Sequence, residues 1–223
     1  MGAVIGQTLP LAVGIALSPL PIIAAILMLL SPRAATNGSG FLLGWIIGVV
    51  VVTVVMIGLS GSLHTGGPPP AWASWTKIVL GILLVLRGAG RWRRRGEQRD
   101  TPKWMKAIDN FTFGRSLVVG MLLSAVNPKN LILAVAAGLA IGTAGLAIGA
   151  EVVVLIVFTA IASLTVAIPV IGYLVAGQRM RPWLDRAKVW LQANNAGMMA
   201  VLILILSAVL IGKGIEGLSS ISM

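Results

Sequence analysis

The chain contains no cysteine, one histidine and six carboxylates in 223 residues. The lack of cysteine excludes disulfides, thiol nucleophiles, thiolate zinc sites and iron–sulfur clusters together. One histidine, His64, and so few acids cannot furnish a histidine-based metal site or Ser/His/Asp catalysis. No metal, no cofactor and no enzymatic reaction is expected. Charge is also scarce: 10% of residues are charged, against about 25% in an ordinary soluble domain.

What is present is apolar. The chain is 57% hydrophobic, with a mean hydropathy of +0.98. Such a composition cannot cover a water-facing surface, which sets aside soluble, disordered and nucleic-acid-binding classes despite a net charge of +11. The expected class is an all-α integral membrane protein. Six apolar stretches match a hydrocarbon core about 30 Å thick at about 1.5 Å per residue. They cover residues 3–30, 40–61, 72–86, 116–140, 146–176 and 197–212. The third is the shortest, with room to extend to Gly90, and the fifth is long enough to tilt or bend at Pro169. The first has no basic leader and reads as a membrane helix rather than a removable signal.

The basic residues divide unequally between the loops. Arg33 lies between the first two spans. Nine more lie between spans three and four, from Arg87 to Arg115, and Arg179, Arg181, Arg186 and Lys188 lie between spans five and six. Fourteen of the seventeen basic residues therefore fall on one side. That asymmetry predicts a plasma (bacterial inner) membrane protein with loops 31–39, 87–115 and 177–195 cytoplasmic and both termini outside. The loops would attract anionic lipid headgroups, and no nucleic-acid partner is expected although Arg91 to Arg95 form a basic run. Residues 182–193 place Trp183, Leu184, Ala187, Trp190 and Leu191 on one helical face. This suits either an interfacial helix or a connector tucked against the bundle, and residues 103–113 are a weaker case. The Gly66 to Pro70 run marks a non-helical turn, and Gly142 to Gly145 a tight one.

The halves resemble one another. Val13-Gly14-Ile15-Ala16-Leu17-Ser18 precedes Pro19-Leu20-Pro21, and Val119-Gly120-Met121-Leu122-Leu123-Ser124 precedes Asn127-Pro128-Lys129-Asn130, an offset of 106 residues. Three spans per half force the second copy to insert upside down. The expected architecture is six transmembrane helices as two inverted three-helix repeats, residues 1–90 and 116–223, joined by a basic loop at 91–115. Helices one and four break at mid-span prolines, a pattern that places a substrate site where the breaks meet. The alternative is that Pro19, Pro21 and Pro128 only kink their helices.

Lys129 is the basic residue that topology leaves unexplained, because it lies near mid-span, where a lysine costs several kcal/mol unless paired or hydrated. It attracts an anionic headgroup, carries a proton, or caps carbonyls freed at the break. Glu151 is the one acid within an apolar stretch; it is either a proton-coupling site with Lys129 or an interfacial residue. The helix rise separates the two by roughly 9 Å along the axis, which disfavours a direct pair. Thr159 and Ser163, four apart, share a face that lines a polar cavity or packs on a neighbour; Gly44 and Gly48 form a small-residue packing face. The candidate substrate-binding set is Ser18, Pro19, Pro21, Ser124, Asn127, Pro128, Lys129 and Asn130.

The Ser18-Pro19-Leu20-Pro21 break, Ser31-Pro32-Arg33, Asn37-Gly38, Phe41-Leu42-Leu43-Gly44-Trp45 and Asn127-Pro128-Lys129-Asn130-Leu131 together resemble the GAP, or Sap (sulfolipid-addressing), family of the LysE transporter superfamily. The resemblance covers essentially the whole chain. It implies six helices and export of envelope glycolipids such as peptidoglycolipids or sulfolipids, for some members beside a larger lipid-export pump. The Pro19-Leu20-Pro21 break departs from the Pro-Gly-Pro of the LysE branch, which argues against a plain amino-acid exporter. Wider relatives that move electrons through cysteines are excluded by composition. The leading expectation is a transporter or translocation factor for an amphiphilic, anionic envelope lipid. The alternatives are a proton-coupled exporter of small solutes and a non-transporting scaffold for a larger pump. A homodimer is left open by the small-residue faces.

Overall fold

The computed structural model describes residues 1–60, 79, 82, 85–86 and 110–219. Among these residues there are helices and turns but no strand. The helices are α1 (Gly2–Ala16), α2 (Pro19–Leu30), α3 (Ala34–Ser60), α4 (Phe113–Ala125), α5 (Pro128–Gly142), α6 (Ile148–Ala176) and α7 (Arg181–Ser219), with a 3-10 turn at Gly177–Met180 before the last. The described residues belong to two units. Met1–His64 with Asp100–Gln192 form one, and Thr65–Arg99 with Ala193–Met223 form the other.

Both proline-marked stretches are broken. α1 and α2 meet at 53°, and α4 and α5 at 67°. Pro19 and Pro128 each occupy the first turn of the second helix, where a missing N–H removes nothing the helix would use. Upstream they leave carbonyls without the donors a continuous helix would provide. α3 and α6 are long and apolar enough to span on their own, and each bent pair makes one further span if taken together. α6 continues through Pro169 and ends at Gly177, whose φ of 56° turns the chain.

In the first unit, α3 is the common wall for α4 and α5. A Cβ on Gly44 would lie 2.0 Å from the Leu117 carbonyl oxygen, and one on Gly48 2.0 Å from Ser124 Oγ. Gly120 offers the reciprocal gap beneath Phe41 and Trp45. Further along, Gly138 rests on Thr53, and Gly142 on Ile57 and Ser60. Positions thus rise together on both sides, so α3 runs parallel to α4 and α5. The Gly44 and Gly48 face does pack helices, by letting backbones touch. α1 likewise runs parallel to α6: Val4 clusters with Val154 and Ile141 at one end, and Thr165 reaches Ala16 further along.

Several boundaries differ from the sequence reading. α3 begins at Ala34, so the predicted loop 31–39 is mostly helix. Buried Asn37 ties this corner by donating to Ser31 Oγ, which donates on to the Met28 carbonyl. Loop 177–195 is a 3-10 turn followed by a helix that continues through the predicted sixth span, so residues 182–193 are no separate interfacial helix. Leu184 and Leu191 are buried while Trp183 and Trp190 are about half exposed, so the expected single apolar face divides. Within the second unit, Ala200 and Ser207 of α7 are buried, and Ser207 Oγ donates to the Ile203 carbonyl. Of the third predicted span, Val79, Ile82, Val85 and Leu86 are helical. The rest of that span, His64, residues 103–109 and most of the 87–115 loop lie outside the described residues.

Candidate functional site

The two breaks face each other inside the first unit. Asn127 precedes α5 in an extended conformation, and its Oδ1 accepts from the Lys129 amide at 3.2 Å, an ordinary N-cap. Asn130 then reaches back: its Nδ2 donates to the Leu123 carbonyl at 3.0 Å, replacing the donor that the break removed from the end of α4. The α4–α5 break therefore satisfies itself with its own side chains.

The α1–α2 break is built differently. Ser18 stands at the N-cap of α2, but its hydroxyl does not cap. It donates to Asn130 Oδ1 at 2.8 Å, and both residues are buried. The Ser18 amide has slipped to the Ile15 carbonyl, at 3.1 Å. That shift leaves the Gly14 carbonyl without its helical donor, and Lys129 Nζ donates to it at 2.7 Å. The carbonyl of Ala16 accepts from Thr165 Oγ1 of α6. Helix α1 thus ends on groups lent by α5 and α6.

Of the predicted substrate-binding set, the structure brings together Ser18, Asn127, Lys129 and Asn130. Pro19 and Pro21 are buried at the start of α2, and Pro128 is exposed at the outer side of its elbow. Ser124 does not join them: its Oγ donates to the Met121 carbonyl and faces Gly48 in the α3–α4 seam. The structural counterpart of Ser18-Pro19 is Asn127-Pro128, a polar N-cap before a proline, at an offset of 109 rather than 106. Glu151 is also apart from the site. It occupies the first turn of α6, half-buried, where the helix dipole favours a carboxylate, and Lys129 turns to Gly14 instead. Thr159 and Ser163 are buried, and neither Oγ has a hydrogen-bond partner.

Sequence reasoning missed Thr165 as a member of the site, together with the two backbone carbonyls. Its only signal was a mid-span hydroxyl, and such groups usually bond their own helix. Among the described residues no group of three His, Asp or Glu side chains is placed to hold a metal ion. An open apolar hollow formed by Phe111, Gly114, Arg115, Val118 and Val119 lies about two turns from the break along α4.

Lys129 is half-buried, while Val126, Pro128 and Ile132 beside it are exposed. A polar centre inside the bundle thus adjoins an apolar elbow on its surface. Long apolar helices, paired broken helices and a buried polar junction between them define a polytopic α-helical membrane protein. Within that class the chain belongs to the Sap family: the family model described as SfLAP, Sap, sulfolipid-1-addressing protein, matches residues 8–216. No curated protein and no solved structure matched it.

Proposed function

We infer that the protein is a non-enzymatic membrane transporter or translocation factor for an amphiphilic, anionic lipid of the cell envelope, with its headgroup site where the two breaks meet. The observation that carries this reading is the placement of Lys129. Its Nζ donates to the Gly14 carbonyl at the end of α1, beside the residue, Asn130, that bonds Ser18, and the exposed apolar residues Val126 and Ile132 lie three positions to either side of it. A headgroup carrying sulfate, phosphate or carboxylate matches the lysine, and acyl chains match the apolar pair. The family description, sulfolipid-1-addressing, supports the same substrate class.

The architecture we propose is six spans in two inverted three-helix repeats. Its support is the exchange of partners: the broken span of each half packs in parallel on the second helix of the other, α1 on α6 and α4–α5 on α3. The start of α3 meets the start of α4 at Gly40 and Phe113, and meets the end of α6 at Gly38 and Val170. Arg33, Arg115, Arg179 and Arg181 therefore share one end of this unit. We assign that end to the cytoplasm and both termini to the outer side.

The test is genetic. Deleting the gene in its host should remove an anionic lipid from outer-envelope extracts, and the wild-type chain should restore it. Lys129→Met should insert at wild-type levels yet restore none. Normal lipid export with the methionine variant would overturn the site assignment.

A further inference from the structure

The two breaks have unequal sources of support. The last helical amide bond is kept at both breaks, Leu17 to the Val13 carbonyl and Val126 to the Leu122 carbonyl, but the α4–α5 break also holds itself: Asn127 caps the Lys129 amide and Asn130 caps the Leu123 carbonyl. The α1–α2 break has no such side chains. The carbonyls of Gly14 and Ala16 depend on Lys129 and Thr165, and the Ser18 hydroxyl depends on Asn130. Every one of those partners belongs to α5 or α6.

An unsatisfied carbonyl away from water costs far more than a made hydrogen bond returns, so these borrowed donors hold α1 to α5 and α6. Lys129 is the one donor among them with a full charge to offer an anion. A sulfate or phosphate oxygen is a stronger acceptor for an ammonium than a neutral carbonyl.

We propose that the α1–α2 break is a latch operated by the headgroup: an anionic lipid draws Lys129 Nζ away from the Gly14 carbonyl, the end of α1 loosens, and α1–α2 moves while the self-capped α4–α5 break stays rigid. Thr165 is the positioning residue of this latch, holding Ala16 from α6 whether or not lipid is present. The proposal rests on the lipid-transport reading and adds which half moves and what releases it. A ligand gains leverage over a conformational equilibrium only through differential contact with the two states, and Lys129 supplies that difference.

Hydrogen exchange on the full chain in nanodiscs tests it. One set of discs is neutral phosphatidylcholine, and the other adds a sulfated galactosylceramide. In the wild-type chain the sulfated lipid should speed exchange of the Leu17 and Ser18 amides about tenfold, the effect of losing one charge-assisted hydrogen bond. The Lys129 and Leu131 amides at the other break should not change. Lys129→Met should exchange fast at Leu17 and Ser18 already in neutral discs, with no response to the sulfated lipid; Lys129→Arg should regain the response. Thr165→Val, should the lysine variant fold poorly, should loosen the same amides in neutral discs and still respond to lipid.

Equal acceleration at both breaks would overturn the proposal, as would Lys129→Met and Thr165→Val exchanging like the wild type. Loosened variants with a wild-type chain that ignores the sulfated lipid would also overturn it. In that last case lipid export in the host, measured separately, decides whether the transport reading survives without the latch.

Discussion

Asn130 joins the two breaks at a single residue. Its amide accepts from Ser18 of one and donates to Leu123 of the other, with no exposed surface. Asn130→Ala would leave a buried hydroxyl and a buried carbonyl without partners. The expected loss is about 1–3 kcal/mol for such a group, seen as a lower unfolding midpoint in detergent, together with lost lipid export. Lys129, Asn127, Asn130 and Ser18 were legible in the sequence because an amide-flanked lysine and prolines are out of place in a membrane helix. Ser124, grouped with them through the Val-Gly-x-x-Leu-Ser match, lies instead in the α3–α4 seam, because that match aligned letters rather than helix ends. Thr165 and the Gly14 carbonyl were not legible, since a backbone carbonyl has no letter and a threonine does not say which helix it will meet.

At the scale of elements, close approach of backbones orders the bundle. Gly44 and Gly58 both lie on α3, and the difference between them is a test. A Cβ at Gly44 would collide with the Leu117 carbonyl, whereas one at Gly58 meets nothing within 4 Å. Gly44→Ala should destabilise the protein by about 1–3 kcal/mol by forcing α3 from α4. Gly58→Ala should be neutral or slightly stabilising, because alanine favours the helix. Thermal unfolding of the two variants side by side measures this. The proline breaks were readable as chemistry, since proline cannot donate, but not the difference in how each is repaired. The continuity of α7 was missed because Asn194, Asn195 and Gly197 read as a stop between residues 182–193 and the sixth apolar stretch, whereas the helix runs through them.

For the molecule as a whole, the absence of cysteine allows single-cysteine labelling without background. Thr143, exposed in the turn between α5 and α6, and Arg33, exposed before α3, lie at opposite ends of the first unit. Thr143→Cys should react with a membrane-impermeant maleimide in intact cells, and Arg33→Cys only after permeabilisation. The reverse pattern would invert the proposed topology. Composition alone determined that this is a membrane protein, because so few charges cannot clothe a soluble surface. Position along the chain determined where two of the apolar stretches break. Tertiary structure alone decided that the end of α1 leans on α5 and α6 while the α4–α5 break is capped by its own side chains, and that Lys129 rests on Gly14. The physical reason is that a freed carbonyl takes whichever donor the packing brings within reach, and only packing between helices brings Lys129 to residue 14.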